Sequence, residues 1–232
     1  MKNFTHEDQQ RIWDAEHASP SVLLQMDSDE GSSGVKKFWG LLKAEGRTDN
    51  VRGVEMGCGK GRNVVWLAAK GVEMYGFDFS PIAIEEAKRR AFAAQIEGAH
   101  FIVQDATKTW DYETDSFDFA IDCFASTDIE SPEGRAYAIS EFHRVLKPGG
   151  YLLAYLLSTD DEFHKEMMQT APAEQQNAFH HPTGKFEKTF DEDELRSVYK
   201  DFKIEKWERI EKVTQFNGKD YGCKHHWLVL SK

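Results

Sequence analysis

The chain has 232 residues, of which 40% are hydrophobic and 30% are charged. This length and composition predict a single folded domain that spans residues 1–232. The net charge of −11 makes nucleic acid and anionic membranes poor partners. No apolar run approaches the roughly 18 residues that a membrane-spanning helix needs.

The cysteines predict a reducing compartment. Cys58, Cys123 and Cys223 are odd in number and far apart, without a C-x-x-C pair. This pattern favours neither a zinc site nor a disulfide framework, and we expect no metal. The polar N-terminus, MKNFTHEDQQ, is unlike a signal peptide, so a cytoplasmic location fits best.

Residues 1–46 predict a helical cap ahead of the first strand. Helices are expected at 5–17 and 35–44, with a loop rich in Ser, Asp and Gly between them. Two interpretations stay open. The cap either covers an edge of the sheet or forms a flap over a ligand, which Trp13 and Trp39 would then border.

A short strand and a glycine turn follow at residues 51–61, with a helix at 62–70. The turn places one acid and three glycines at alternate positions: Glu55, Gly57, Gly59 and Gly61. Glycine lets the backbone approach a ligand closely. A dinucleotide fold expects G-x-G-x-x-G here, and the third glycine comes one residue too early for it. An acid before the glycines suits a cationic amino-acid ligand better than a diphosphate.

Strands and helices then alternate along the chain. Strands are predicted at 72–77, 99–104, 116–122 and 151–157, and helices at 81–96 and 133–146. This order predicts an α/β fold with a doubly wound parallel sheet and helices on both faces. The nearly continuous apolar run at 151–157 is typical of a strand buried on both faces.

The C-terminal third is less regular. Residues 158–189 are polar and rich in His and Glu without a clear period, so we interpret them as a lid insertion. A helix is expected after Asp191, which is a good N-cap. Residues 203–213 are ambiguous, although their composition favours a bent strand. Residues 227–230 form the final apolar strand.

Acids stand at the predicted ends of two neighbouring strands. In an open parallel sheet, ligands bind beyond the carboxyl ends of the strands. Asp78 can accept hydrogen bonds from two ribose hydroxyls, and Asp105 from the exocyclic amine of an adenine. A dehydrogenase also expects an acid about 20 residues past its glycines, so Asp78 alone does not discriminate. Asp105 and the early position of the third glycine do argue against a dehydrogenase.

The E-x-G-x-G-x-G turn followed by these acids resembles the class I S-adenosylmethionine-dependent methyltransferases over residues 51–157. The L-K-P-G-G turn at 146–150 matches small-molecule members, and the tellurite-resistance type is most similar. The resemblance implies a Rossmann-like, seven-stranded sheet, mostly parallel with the last strand antiparallel. It implies S-adenosylmethionine as cofactor and methyl transfer to an O, N or S atom of a small molecule. The implied cofactor-binding residues are Glu55, Gly57, Cys58, Gly59, Gly61, Asp78, Phe79, Asp105, Ala106, Cys123 and Phe124.

The end of the fourth strand argues against nucleic-acid acceptors. Residues 122–125 read D-C-F-A, unlike the (N/D)-P-P-(Y/F) motif of enzymes that methylate DNA bases. The resemblance places Cys123 and Phe124 next to the transferred methyl. Two other functions remain open: an NAD-dependent oxidoreductase, and a protein that binds S-adenosylmethionine without transferring the methyl.

Histidines after the fifth strand are candidate bases. An acceptor hydroxyl needs a base, whereas a thiolate or a free amine does not. An unperturbed imidazole titrates near pH 6.5 and can accept a proton near neutral pH. His180 and His181 lie in the lid, and His225 is expected to open the final strand. Tyr221 is a candidate hydrogen-bond partner of whichever histidine is the base. In the alternative, the site only aligns an already nucleophilic acceptor.

Overall fold

The structure, a computed structural model, describes residues 5–19, 28–216 and 218–232. The helices are α1 (His6–Ala18), α2 (Ser33–Ala44), α3 (Arg62–Ala68), α4 (Pro81–Ala93), α5 (Pro132–Val145), α6 (Glu162–Thr170) and α7 (Glu192–Val198), with a 3₁₀ helix at Ser126–Asp128. The strands are β1 (Arg52–Met56), β2 (Glu73–Asp78), β3 (Ala99–Val103), β4 (Phe117–Cys123), β5 (Leu146–Leu157), β6 (Ala178–His180), β7 (Phe186–Lys188), β8 (Lys203–Phe216) and β9 (Lys219–Ser231). Within the described ranges, every helix is too short or too polar to cross a lipid bilayer.

Seven strands form one sheet in the order β3-β2-β1-β4-β5-β9-β8. The first five pair in parallel, and β9 runs antiparallel between β5 and β8. The predicted doubly wound, Rossmann-like sheet with an antiparallel last strand is confirmed. The strands β6 and β7 form a separate two-stranded hairpin.

Helices cover both faces of the sheet, and side chains of β5 pack against the helices on each face. Leu153 packs in the cluster that contains α2, α3 and α4, whereas Leu152 packs with α5 and α7. Successive side chains of a strand point to opposite faces, so an apolar run is needed where both faces are buried. The prediction for residues 151–157 is confirmed.

Several boundaries differ from the predictions. The strand β5 begins at Leu146, because the segment after α5 already pairs with β4 across a register shift. The final strand begins at Lys219, so His225 lies in the middle of β9 and does not open it. The register shift between Ile204 and Lys206 confirms that β8 is a bent strand. Residues 158–189 are not patternless, since they hold α6 and the β6–β7 hairpin.

Candidate active site

A cavity of about 1430 Å³ lies beyond the carboxyl ends of β1, β2 and β4. The strand order reverses between β1 and β4, which is where open α/β sheets bind ligands. The predicted cofactor residues that line the cavity are Glu55, Gly57, Cys58, Gly59, Asp78, Phe79, Asp105, Ala106, Cys123 and Phe124. Its volume exceeds the roughly 300–1,000 Å³ typical of a pocket for one small ligand, so two molecules fit side by side.

Two glycines of the turn have different functions. Gly57 has a φ of 60°, and a Cβ there would lie 2.4 Å from the Cβ of Ala125, so glycine keeps the β1 and β4 ends close. Gly61 has a φ of 75° and starts α3. A Cβ on Gly61 would meet Phe101 and Ala87 at 2.8–2.9 Å. Gly61 does not line the cavity, so a glycine is needed there for close packing and not for the predicted contact with a ligand.

Glu55 presents an unpaired carboxyl oxygen. Asn63 Nδ2 donates to Oε1 at 2.7 Å, while Oε2 has no hydrogen-bond partner among the described residues. Burial raises the pKa of Glu55 to about 8. A ligand with a cationic amino group would supply both the missing partner and the opposite charge, which fits the amino-acid end of S-adenosylmethionine.

Asp78 is a buried carboxylate fixed by two backbone amides. Gly59 N donates to Oδ2 and Ser80 N donates to Oδ1, each at 2.9 Å. Burial raises the pKa of Asp78, and the nearby His17 opposes that rise. Each oxygen keeps an acceptor site, so the carboxylate can bind two further hydroxyls, as a ribose requires.

The helix α1 covers the part of the cavity that contains Phe79 and Asp105. Asp105 accepts from Thr107 N at 2.8 Å and lies 3.3 Å from His6 Nε2 of α1. Gln10 Nε2 donates to Phe79 O at 2.6 Å. Trp13 lines the cavity, as the flap hypothesis expects. Trp39 does not; it packs in the core beneath the sheet, so the prediction that it borders the ligand is wrong.

The end of β4 forms an apolar wall. Burial raises the pKa of Cys123 to about 12, so its thiol stays neutral and is no nucleophile. Phe124 has a φ of 68°, which is rare for an aromatic residue. Its amide donates to Tyr155 O at 2.9 Å, and its ring lies 4.6 Å from that of Tyr155. Such a strained residue at a cavity wall indicates a functional position.

The candidate catalytic residues separate into two groups. His181 and His225 line the cavity, whereas His180 and Tyr221 do not. In the hairpin, His180 pairs with Phe186 and its Nε2 lies 3.2 Å from Glu130. Side chains alternate along a strand, so consecutive histidines face opposite sides.

Tyr221 is not the hydrogen-bond partner of a candidate histidine. His225 Nδ1 lies 3.0 Å from the hydroxyl of Tyr155, and Tyr221 donates to Glu166 at 3.3 Å. Burial, with the nearby Lys212, lowers the pKa of His225 to about 3. His225 is therefore neutral and a weak base. The hypothesis that Tyr221 assists a histidine base is wrong.

Sequence reasoning missed a buried charged cluster that borders the cavity. It joins α6 to the hairpin through Asp161, His164, Lys185 and Glu187, next to His181. Two features of the sequence could have indicated this region. Asp161 is a good N-cap residue and predicts the start of α6, and Gly184 predicts the turn between β6 and β7, where its φ is 90°.

Known proteins share this fold. Residues 54–150 match the family model of a methyltransferase domain. A SAM-dependent methyltransferase from Methanosarcina mazei is 26% identical, with a TM-score of 0.69 over 79% of this chain and 93% of that chain.

Two further structures, below 25% identity, concern the fold alone. TehB from Haemophilus influenzae is 20% identical, with a TM-score of 0.62 over 84% of this chain and 62% of that chain. The 1,6-didemethyltoxoflavin-N1-methyltransferase of Burkholderia thailandensis is 14% identical, with a TM-score of 0.68 over 100% of this chain and 92% of that chain. It was solved with 1,6-didemethyltoxoflavin and S-adenosylhomocysteine bound. The matched residues 54–150 run from β1 into the first part of β5, and this segment is a methyltransferase domain of the class I S-adenosylmethionine-dependent type.

Proposed function

We propose that the protein transfers the methyl group of S-adenosylmethionine to an O, N or S atom of a small molecule. One observation carries this proposal: a single cavity extends from Asp78 and Asp105, past Phe124, to His181 and His225. The first two residues suit the nucleoside of the cofactor. The last two border the space that remains for an acceptor.

The residues of the chain would bind and align the two molecules. Glu55 would hold the amino group of the cofactor, Asp78 its ribose and Asp105 its adenine. The bound cofactor supplies an electrophilic methyl on a sulfonium. Phe124, fixed by its strained backbone, would separate the two halves and orient the acceptor. Alignment of this kind can lower a barrier by several kcal/mol.

Several features support a small acceptor in the cytoplasm. Gln9 of α1 donates to Gly184 O at 3.2 Å, so the cap and the hairpin meet across the cavity and leave little room for a polymer. The net charge of −11 disfavours nucleic acid and anionic membranes. All three cysteines are free thiols, as a reducing compartment favours. The Burkholderia thailandensis structure holds a small acceptor on the same fold.

S-adenosylhomocysteine, the demethylated product, is expected to stabilise the protein. At 100 times its dissociation constant, mass action adds about 2.7 kcal/mol, which raises the melting temperature by about 5–10 °C. NAD should cause no shift, because the turn lacks the diphosphate pattern. Differential scanning fluorimetry with each ligand checks this, and stabilisation by NAD alone would favour an oxidoreductase. Release of S-adenosylhomocysteine with an acceptor panel separates an enzyme from a non-catalytic binder.

Residues 158–189, together with α1, are proposed to form a lid that excludes water. Hydrogen exchange in α1 is expected to slow several-fold when S-adenosylhomocysteine binds. Exchange in 158–189 should slow further when an acceptor is added. The helix α7 contributes no residue to the cavity and serves as the internal control. Equal exchange of 158–189 in free and doubly bound protein would make it a passive surface segment.

A further inference from the structure

We propose that His181 is the proton acceptor of the reaction and that Glu187 positions it, so that the methyl acceptor is a hydroxyl or thiol compound. This inference rests on the proposed function. It selects one residue from the four candidates, adds a positioning carboxylate, and narrows the class of acceptor.

The hairpin register brings the two side chains together. Phe179 pairs with Glu187, and His181 N donates to Lys185 O at 2.8 Å. His181 and Glu187 therefore share one face of the hairpin, opposite to His180. His181 Nε2 lies 2.9 Å from Glu187 Oε2, and both residues are buried at the cavity wall.

The ammonium group of Lys185 and the imidazolium group of His164 flank the Glu187 carboxyl group and keep it ionised. Lys185 Nζ donates to Oε1 at 2.6 Å, and His164 Nε2 lies 3.4 Å from Oε2. Burial alone would raise the pKa of Glu187, but Lys185, His164 and His181 hold it well below its usual range. An ionised carboxylate only accepts hydrogen bonds, so Nε2 of His181 must carry the hydrogen. The lone pair is then on Nδ1.

His164 holds the other side of Glu187. Burial disfavours the charged form of His164, but the hydrogen bonds that it donates to Asp161 and Glu187 outweigh that cost and raise the pKa of His164 to about 9. As an imidazolium, it donates through both nitrogens. Asp161 is itself the N-cap of α6, so the cluster fixes Glu187 to a rigid element.

The second nitrogen of His181 is open to the cavity. Among the described residues, Nδ1 of His181 has no hydrogen-bond partner. Nδ1 is also not one of the described side-chain atoms that are both fully enclosed and without a partner. Because His181 lines the cavity, a ligand there can reach this nitrogen. The opposite holds for His225, whose Nδ1 contacts the hydroxyl of Tyr155.

The proton balance identifies the acceptor class. Nδ1 of His181 takes the proton of an acceptor O–H or S–H, while the acceptor atom forms a bond to the methyl carbon. The carbon–sulfur bond of the sulfonium breaks, and its electron pair stays on sulfur. The positive charge thus passes from the sulfonium to His181, where the Glu187 carboxylate stabilises the imidazolium. Solvent then removes the proton.

The test measures the ring nitrogens of His181 by ¹⁵N NMR in the full chain with S-adenosylhomocysteine bound. The expected result at pH 8 is a protonated Nε2 and an unprotonated Nδ1, assigned by loss of the signals in His181→Asn. In Glu187→Gln, the amide can either accept from Nε2 or donate to it, so the hydrogen should be distributed between Nε2 and Nδ1. The side chains of Lys185, His164 and Asp161 remain in this variant.

Glu166→Gln is the matched control, since Glu166 bonds Lys219 and Tyr221 outside the cavity. It should leave the hydrogen of His181 on Nε2, as in the parent protein. If Nδ1 of His181 carries the hydrogen in the parent protein, this nitrogen has no lone pair for the acceptor proton, and the proposal is overturned by that measurement alone. A hydrogen that stays entirely on Nε2 of His181 in folded Glu187→Gln would overturn the positioning by Glu187. If calorimetry shows no binding of S-adenosylhomocysteine to the parent, the proposed function itself fails.

Discussion

Replacing Asp78 with alanine removes the proposed acceptor for two ribose hydroxyls and is expected to weaken S-adenosylhomocysteine binding by about 10²- to 10⁴-fold. The carboxylate is aligned by the amides of Gly59 and Ser80, so in the proposed role it would accept ribose hydroxyls without further ordering. Each hydrogen bond to a charged group contributes about 1.5–3 kcal/mol, and about 1.4 kcal/mol is a factor of ten in affinity. Isothermal titration calorimetry measures the change directly.

The controls separate binding from folding. Asp78→Asn keeps the side-chain volume and one acceptor oxygen, so its affinity should lie between those of the parent and Asp78→Ala. The exposed Asp201, changed to alanine, should leave binding unaltered. A melting temperature near that of the parent shows that the turn survives the loss of Asp78. Unchanged affinity in a folded Asp78→Ala would remove the ribose role.

The sequence predicts the sheet well because its signals are local. Parallel strands that alternate with helices allow few topologies, and the acids after β2 and β3 reach the same edge wherever those strands pair. The cofactor end of the cavity follows from that rule. Local signals did not predict the position of Trp39. It lies in the predicted N-terminal cap, and the sequence did not indicate that its helix, α2, packs into the core.

The acceptor end depends on contacts between distant segments. The strands β6 and β7 have three residues each, too few for a readable period. Whether His180 or His181 faces the cavity depends on the hairpin register, and a shift of one residue would exchange them. The environment of Lys185 combines Glu187 with Asp128 and Glu16, which lie far away in sequence. Such pairings follow from the tertiary structure and not from spacing.

Replacing His181 with asparagine is expected to lower turnover of a hydroxyl or thiol acceptor by about 10²–10⁴-fold, the usual contribution of a general base. Affinity for S-adenosylhomocysteine should stay within about twofold, because the cofactor contacts lie at the other end of the cavity. His180→Asn should keep turnover within a few-fold, since His180 faces away. The measurement is the rate of S-adenosylhomocysteine release with a panel of phenols, alcohols and thiols.

The pH dependence distinguishes proton removal from alignment. Without His181, the acceptor must ionise by itself, so the rate of His181→Asn should rise with pH and approach that of the parent near the pKa of the acceptor. Loss of alignment would instead lower the rate by a constant factor at every pH. The comparison should stay below about pH 9, where His164 loses the proton that helps to hold Glu187. A ratio of rates that does not change with pH would therefore assign His181 to alignment and leave the acceptor to lose its proton to solvent.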